Sequence, residues 1–362
     1  MKQYKVIDLF AGVGGLSYGF AHNDNFNIVM ANEYEVDIAK AYALNHPTVN
    51  VIQGDIRNLS EDIIKNSCGG EVDVIIGGPP CQSYSTLGKR QMDERAHLFE
   101  EYCRVLSIVK PKLFLFENVS GLLSMQGGKL IEVIKSEFSK LGYTLKLKLL
   151  NAADYGVPQF RERVILVGIR GEVNNFEYPE IKFGDISKNP NLRPFRTVKD
   201  AFSDMPVLGS GETSTQYATT PQNDFQEFLR MNSKILTENS SPKNGEHLIK
   251  LMQALPDGGT KDDLPPELRP KSGYGNTYAK MWWNKPAPTI TRNFATPSSS
   301  RCVHPRDSRA MTTREGARLQ SFPDDYIFYG SVSTKNLEIG NAVPPLLSIE
   351  LAKQVLKVLE EL

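Results

Sequence analysis

Cys81 stands in the run Gly-Gly-Pro-Pro-Cys-Gln-Ser-Tyr-Ser that follows a short apolar segment, 72–76. Two prolines before a cysteine fix the direction of its thiol, and nearby cations would favour the thiolate, so Cys81 is a candidate nucleophile. Glu117 closes a second apolar segment, 112–116, and offers a carboxyl group that can act as an acid or a hydrogen-bond partner. A third segment ends in Asp-Leu-Phe-Ala-Gly-Val-Gly-Gly-Leu-Ser at 8–17, a glycine turn that lets backbone approach a ligand at a helix N-terminus. It is not the dinucleotide fingerprint, because Ser17 stands at the third glycine position. Glu33 follows about 20 residues later, where a carboxylate accepts from both hydroxyls of a ribose. Gly54-Asp55-Ile56 then offers a carboxylate and an apolar side chain to an adenine edge and face. Taken singly, each has a plainer reading: a tight turn, a helix N-terminal charge, a buried structural cysteine. Three consecutive segment ends of this kind favour an adenosine-containing ligand beside the nucleophile.

The elements that would position these groups are short apolar runs at 5–10, 27–31, 49–53, 72–76, 112–116, 144–150 and 163–169, alternating with helical-period segments such as 34–45 and 98–109. Strand followed by helix, repeated, predicts an α/β fold with a mostly parallel sheet covered on both faces. Ligands on such sheets bind at the carboxyl ends of the strands, where all the residues above fall. After about 170 the alternation stops and Pro, Asn, Ser and Thr dominate to about 310, which predicts a second domain of irregular and extended structure. Helical period returns over 345–362, a segment expected to pack back on the first domain.

With 362 residues, 40% of them hydrophobic and 23% charged, the chain is neither disordered, collagen-like nor a coiled coil. Lys+Arg and Asp+Glu are each 42, so a polyanion would have to be held by a local patch and not by the net field. The four cysteines, Cys68, Cys81, Cys103 and Cys302, form no CxxC pair, which fits a reducing compartment. No apolar run approaches the roughly 18 residues of a membrane span, and a soluble cytoplasmic protein is expected.

With these motifs in order, the sequence resembles the bacterial-type DNA (cytosine-5)-methyltransferases. The blocks DLFAGVGG, GGPPCQSYS and FENV are followed by Gln-Phe-Arg-Glu-Arg at 159–163, Arg-Glu-Gly-Ala-Arg-Leu-Gln-Ser-Phe-Pro-Asp at 314–324 and Gly-Asn-Ala-Val-Pro-Pro at 340–345. The resemblance spans the chain except for roughly 171–310, where such enzymes carry a variable target-recognition region. It implies a Rossmann-like S-adenosylmethionine-dependent methyltransferase sheet with a smaller target-recognition domain. The expected division is a catalytic and cofactor-binding domain at 1–185, completed by 330–362, and a target-recognition domain at 186–329.

The resemblance also implies roles. The Cys81 thiolate adds to C6 of a cytosine, while Glu117 engages N3 and the exocyclic amine, and Arg161 and Arg163 hold the base and the catalytic groups. S-adenosylmethionine would lie along Phe10, Ala11, Gly12, Gly14 and Leu16, with Glu33 and Tyr34 at the ribose and adenine face. Asp55 and Ile56 would take the adenine, Pro79 would stand beside the methyl donor, and Leu98, Asn341 and Val343 would complete the site. The product is S-adenosylhomocysteine, and the transfer needs no metal.

The substrate implied is double-stranded DNA, with the target cytosine flipped out of the stack. A polar segment at 83–96, holding Gly88, Lys89, Arg90 and Arg95, is expected to form a loop closing over DNA. Expected DNA contacts come from Gln82, Ser83, Ser85 and Arg95. Between 269 and 318 stand ten Lys or Arg residues against Asp307 and Glu315, interleaved with Tyr274, Tyr278, Trp282, Trp283 and Asn293. A stripe of that density reads as a phosphate footprint, with Arg292 and Arg301 contacting base or phosphate and Arg318 serving as an internal brace. The alternative substrate is a cytosine in transfer RNA. Enzymes of that kind usually carry a late Cys-Phe-Thr tripeptide and a small variable region, whereas this chain has no such tripeptide and a variable region of about 140 residues. A prokaryotic enzyme, monomeric on DNA and accompanied or not by a separate restriction endonuclease, is expected.

Overall fold

The computed structural model describes residues 3–80, 97–271 and 276–362. The chain folds into two compact units. The first comprises Met1–Asn151, Glu162–Glu180 and Leu347–Leu362, and the second Ala152–Arg161 and Ile181–Leu346. This differs from the division expected from sequence in three places. Residues 152–161, 181–185 and 330–346 belong to the second unit.

Among the described residues the first unit is built on seven strands, β1 (Tyr4–Leu9), β2 (Phe26–Glu33), β3 (Asn50–Gln53), β4 (Val74–Gly77), β5 (Leu113–Val119), β6 (Tyr143–Asn151) and β7 (Glu162–Arg170). Their order in the sheet is β3-β2-β1-β4-β5-β7-β6. The connecting helices are α1 (Ser17–Ala21), α2 (Val36–Asn45), α3 (Glu61–Cys68), α4 (His97–Val109) and α5 (Lys129–Lys140). Five strands are parallel, but β7 runs antiparallel to both β5 and β6. Apolar patterning carries no sign of strand direction, so the sequence expectation of a mostly parallel sheet could not include this reversal.

The strands form because their residues are buried on both faces. Val74, Ile75 and Ile76 are fully buried, as are Leu113, Phe114, Leu115 and Phe116, leaving no polar alternation. Each helix buries one stripe. In α5, Leu130, Ile131, Ile134 and Phe138 turn inward at helical spacing. α3 starts where Ser60 accepts from the Ile63 N–H and stops at Gly69 in the left-handed region. Phe99, Tyr102, Phe114, Phe116 and Phe138 meet edge-on or tilted at ring-centroid distances of 4.5 to 6.2 Å.

Among the described residues the second unit holds four short strands, β8 (Phe183–Gly184), β9 (Arg193–Pro194), β10 (Ala279–Lys280) and β11 (Arg301–Val303). Its helices are α6 (Val198–Phe202), α7 (Asp224–Arg230), α8 (Glu246–Ala254), α9 (Thr313–Leu319) and α10 (Val332–Asn341). The last helix, α11 (Pro345–Glu361), lies in the first unit from Leu347 onward, as the helical period predicted.

The second unit's core is held by buried charges. Arg318 donates to Asp204 Oδ1 at 2.6 Å, to Asp324 Oδ2 at 2.6 Å and to the Ala201 carbonyl at 2.7 Å, and all three charged side chains are fully covered. Removing the cation would leave two carboxylates out of reach of water, Asp204 with Arg230 still beside it and Asp324 without its partner at 2.6 Å. Arg318→Leu is therefore expected to destabilise the fold by about 3–5 kcal/mol in denaturant unfolding. An unchanged midpoint would contradict the brace.

Candidate active site

The register of the sheet brings the sequence candidates of the first unit to one edge. Leu9 pairs with Asn32 on one side and Gly77 on the other, Gly77 pairs with Phe116, and Glu33 pairs with Gln53. Phe10, Glu33, Gly54, Gly78 and Glu117 consequently follow one another along the carboxyl ends of five strands. The strand order reverses between β1 and β4, and open α/β sheets bind ligands at such a reversal.

Phe10 leaves β1 with φ +56°, a left-handed conformation that costs a non-glycine residue roughly 1–2 kcal/mol. Gly12 adopts the same region, and a Cβ built there would point into open space. Both observations fit a turn shaped to receive a ligand. Glu33 Oε2 accepts from the Gly12 N–H at 2.8 Å and Oε1 accepts from the Glu35 N–H at 2.9 Å, so the carboxylate is already tied to the turn. Burial pushes its pKa up, against hydrogen bonds from the backbone of Glu35, Gly12 and Tyr34 that favour the charged form. Asn32 was not singled out in the sequence. Buried beside Glu33, it donates to the carbonyls of Ile52 at 2.9 Å and Gly54 at 3.0 Å, tying the end of β2 to the turn before Asp55.

The adenine candidates divide. Tyr34 is 63% exposed, whereas Ile56 is 2% exposed and its side chain is packed into the hydrophobic core. Ile56 can therefore meet a ligand through its backbone rather than through an apolar face. The Asp55 carboxylate is gripped by the Arg57 guanidinium at 2.5 and 3.0 Å, and this hydrogen bonding lowers its pKa. Ala11 and Leu16 are nearly buried, Pro79 is buried, and Leu98 is partly buried against the core.

Glu117 and Arg163 form the charged part of the edge. Arg163 Nε lies 2.8 Å from Glu117 Oε1, with 8% and 13% of the two side chains exposed. The Nε–H is not aligned on the oxygen, so the contact is a charge pair more than a directed hydrogen bond. The antiparallel course of β7 makes this possible: Val119 faces Arg163 in register, so the start of β7 lies at the end of β5. A Cβ on Gly78 would sit 2.6 Å from Glu117 Oε2, so only glycine lets β4 leave the sheet beside that carboxyl group. Asn118 Nδ2 donates to the Pro79 carbonyl at 2.9 Å while its Oδ1 accepts from the Val119 N–H. This residue, also missed in the sequence, anchors the chain two positions before Cys81.

Cys81, Gln82, Ser83, Ser85 and Arg95, with the segment 83–96, lie outside the described residues. The other three cysteines are poor nucleophiles. Burial pushes the thiols of Cys68 and Cys302 up to about 11 and that of Cys103 up to about 12.

In the second unit the expectations need correction. Arg161 is fully buried, and its guanidinium donates to the carbonyls of Ile290 at 3.1 Å, Gly340 at 2.8 Å and Ala342 at 2.9 Å. Rather than holding a base, it braces the block that contains Asn341 and Val343. Of these, Asn341 is exposed at the end of α10 and Val343 is 6% exposed. Arg301 turns inward, donating to the carbonyls of Gly258 at 2.6 Å and Lys280 at 2.7 Å with its guanidinium 4.0 Å from the Trp282 ring. Half-buried, it braces these segments through one guanidinium nitrogen.

The basic stripe loses much of its charge in the same way. Lys280, Arg309, Arg314 and Arg318 are buried, the last three completely or nearly so. Arg269, Lys271, Lys285 and Arg292 are exposed. The phosphate footprint expected from the count of charges shrinks to these four. Among the described residues no group of His, Cys, Asp and Glu suited to a metal ion was found, and no helix is long and apolar enough to cross a membrane.

Residues 4–357 match the C-5 cytosine-specific DNA methylase family. The Type II methyltransferase M1.HphI of Haemophilus parahaemolyticus is 35% identical over 97% of this chain and 86% of its own length. M.DdeI of Desulfomicrobium norvegicum is 35% identical over 97% of this chain and 88% of its own. Among solved structures, a DNA modification methyltransferase encoded within an E. coli prophage superposes with TM-score 0.79 at 25% identity, covering 99% of this chain and 100% of that one. The S. pombe Dnmt2 methyltransferase, at TM-score 0.61 and 18% identity over 98% and 99% of the two chains, shares the fold. With its glycine turn, acidic strand ends and Glu117–Arg163 pair at one sheet edge, the chain belongs to the S-adenosylmethionine-dependent C-5 cytosine-specific DNA methylases.

Proposed function

We propose that the chain methylates C5 of one cytosine within a short specific sequence of double-stranded DNA, through a covalent bond between Cys81 and C6 of a flipped-out base. The observation that carries this reading is the arrangement at the ends of β4 and β5. Glu117 is charge-paired with Arg163 and flush against Gly78, and Asn118 fixes the Pro79 carbonyl next to the Pro80-Cys81 step.

C5 of cytosine is a weak nucleophile. A bond from Cys81 Sγ to C6 makes C5 enamine-like, and the negative charge that develops on the ring is neutralised by a proton that the Glu117 carboxyl delivers to N3 while accepting from the exocyclic amine. Arg163 holds the Glu117 carboxyl in place, and a guanidinium suits that work because it stays charged throughout. S-adenosylmethionine, when bound, supplies a methyl group on a positive sulfonium that C5 can accept. Loss of the C5 proton then expels the Cys81 thiolate and restores the ring. The base is reached by flipping, at a cost of a few kcal/mol in unstacking.

The cofactor would be held by Phe10, Ala11, Gly12, Gly14, Leu16, Glu33 and Tyr34, with Asp55 and the Ile56 backbone at the adenine. Pro79 and Leu98 are assigned to the same site, and by the resemblance Asn341 and Val343 are cofactor-binding residues as well. Arg161 acts as a positioning residue. Arg292 remains a candidate DNA contact, as do Gln82, Ser83, Ser85 and Arg95 by the resemblance. The second unit reads the target, with its exposed cations contacting phosphate. The Type II relatives support a modification enzyme of a restriction-modification system. In this reading it acts as a monomer in a prokaryotic cytoplasm, with its nuclease, where one exists, separate.

Methyl incorporation from labelled S-adenosylmethionine into duplex DNA and into transfer RNA tests the substrate. The reading predicts labelled duplex DNA and unlabelled RNA. Labelled RNA with unlabelled DNA would overturn it.

A further inference from the structure

Beneath the glycine turn lies a group of polar side chains that the chemistry above does not use. Asp8, the penultimate residue of strand β1, is 1% exposed, and its Oδ2 accepts from Ser17 Oγ at 2.6 Å. Ser17 Oγ lies 2.7 Å from the Tyr42 hydroxyl on α2. The Tyr42 ring leans on that of His46, with centroids 4.5 Å apart, and His46 has a backbone hydrogen bond with Gly14 of the turn. Ser17, Tyr42 and His46 are themselves buried. Groups from β1, α1 and α2 thus meet under the turn that carries Gly12 and Gly14.

No cation pairs with Asp8 among the described residues. The titratable groups around it are Glu33 at the end of β2, Tyr42 of α2, which reaches it through Ser17, and Tyr102 of α4, with His46 behind Tyr42 just past the end of α2. Its register partners on β2 and β4, Ala31 and Ile76, carry no polar side chain. Burial pushes the Asp8 carboxyl up to about 8, the Ser17 hydrogen bond opposes this, and the charge of Glu33 adds to it. His46 is driven the other way by burial, down to about 4, so it too is uncharged near neutrality.

We propose that Asp8 works as an uncharged carboxylic acid that positions the cofactor-binding turn, so that its ionisation weakens cofactor binding. This rests on the assignment of that turn to S-adenosylmethionine. An ionised Asp8 would be a bare charge in a dry site with one hydroxyl to serve it, and the turn would have to shift or admit water. A bound cofactor excludes water from the rim above and brings a charged Glu33 into use, which favours the neutral acid further.

The sign for folding follows the same course. A carboxyl whose folded-state pKa is raised from 3.8 to about 8 contributes stability below its unfolded value and loses it as pH rises through the folded one. Asp8→Asn, which cannot ionise, is therefore expected to gain melting temperature relative to wild type as pH rises from 5 toward about 9.

The decisive experiment is calorimetric titration of S-adenosylhomocysteine into wild type, Asp8→Asn and Ser17→Ala at several pH values. Wild-type Kd should rise toward about ten-fold per pH unit above about 8, as one linked proton requires. The Asp8→Asn protein should bind within about three-fold of wild type at pH 7, and the ratio of the two Kd values should reproduce the whole alkaline loss. Ionisation of the ligand's own amine is common to both and cancels in that ratio. Ser17→Ala removes the donor that favours the ionised form and should move the break to higher pH, which keeps the test open if Asp8→Asn fails to fold. Parallel pH profiles for wild type and Asp8→Asn would overturn the proposal, as would loss of binding by a folded Asp8→Asn at pH 7. Failure of wild type itself to bind at pH 7 would overturn the cofactor assignment of the turn, and the inference with it.

Discussion

Cys81→Ser is expected to reduce methyl transfer to below about one thousandth of wild type while leaving S-adenosylhomocysteine binding unchanged. A neutral hydroxyl attacks C6 far less readily than a thiolate, and without the Sγ–C6 bond C5 has no electron pair to offer the methyl group. The three other cysteines cannot take over, since burial holds their thiols protonated at neutral pH. Steady-state assays with labelled cofactor, paired with calorimetry on the same preparation, measure both quantities. Near-normal turnover would end the covalent mechanism.

Glu117→Gln should lower kcat by roughly 10²–10⁴, the range typical of losing a positioned acid or base. The amide keeps the shape and retains an oxygen near Arg163, so the 2.8 Å contact loses its charge pairing and not its packing. Cofactor affinity should stay within about two-fold of wild type, because Glu117 contributes to the base and not to the cofactor turn. A variant that lost cofactor binding would show that Glu117 had been assigned to the wrong part of the edge.

Much of the first unit is legible in the sequence because its strands are buried on both faces and interrupted by helical period. Every apolar run between 5 and 169 corresponds to a strand. Phe10, Glu33, Gly54 and Glu117 are legible for a related reason: each follows such a run, and the register then aligns the run ends. What the sequence does not reveal is long-range pairing. Arg161 and Arg163 stand two residues apart, a spacing that suggests one face and one task. Yet the segment 152–161 folds with the second unit, where Arg161 spends its donors on three carbonyls from 290 to 342, while Arg163 sits in β7 against Glu117.

The basic stripe misleads similarly. A count of charges cannot see that Arg318 is met by Asp204, more than a hundred positions earlier, or that Arg309 closes on Glu315 inside the fold. Asn32 and Asn118 escape notice because a single amide in an apolar strand has no pattern of its own. Their value emerges only when the neighbouring strand end supplies the carbonyls of Gly54 and Pro79.

The most direct test of the central claim is bisulfite sequencing of plasmid DNA from a methylation-free host expressing this chain, with Cys81→Ser as the paired control. Methylation through Cys81 predicts cytosines protected from conversion at one short recurrent word and full conversion of that word in the mutant. Soluble, S-adenosylhomocysteine-binding protein that leaves every cytosine convertible would contradict it, and so would protection that survives in the mutant.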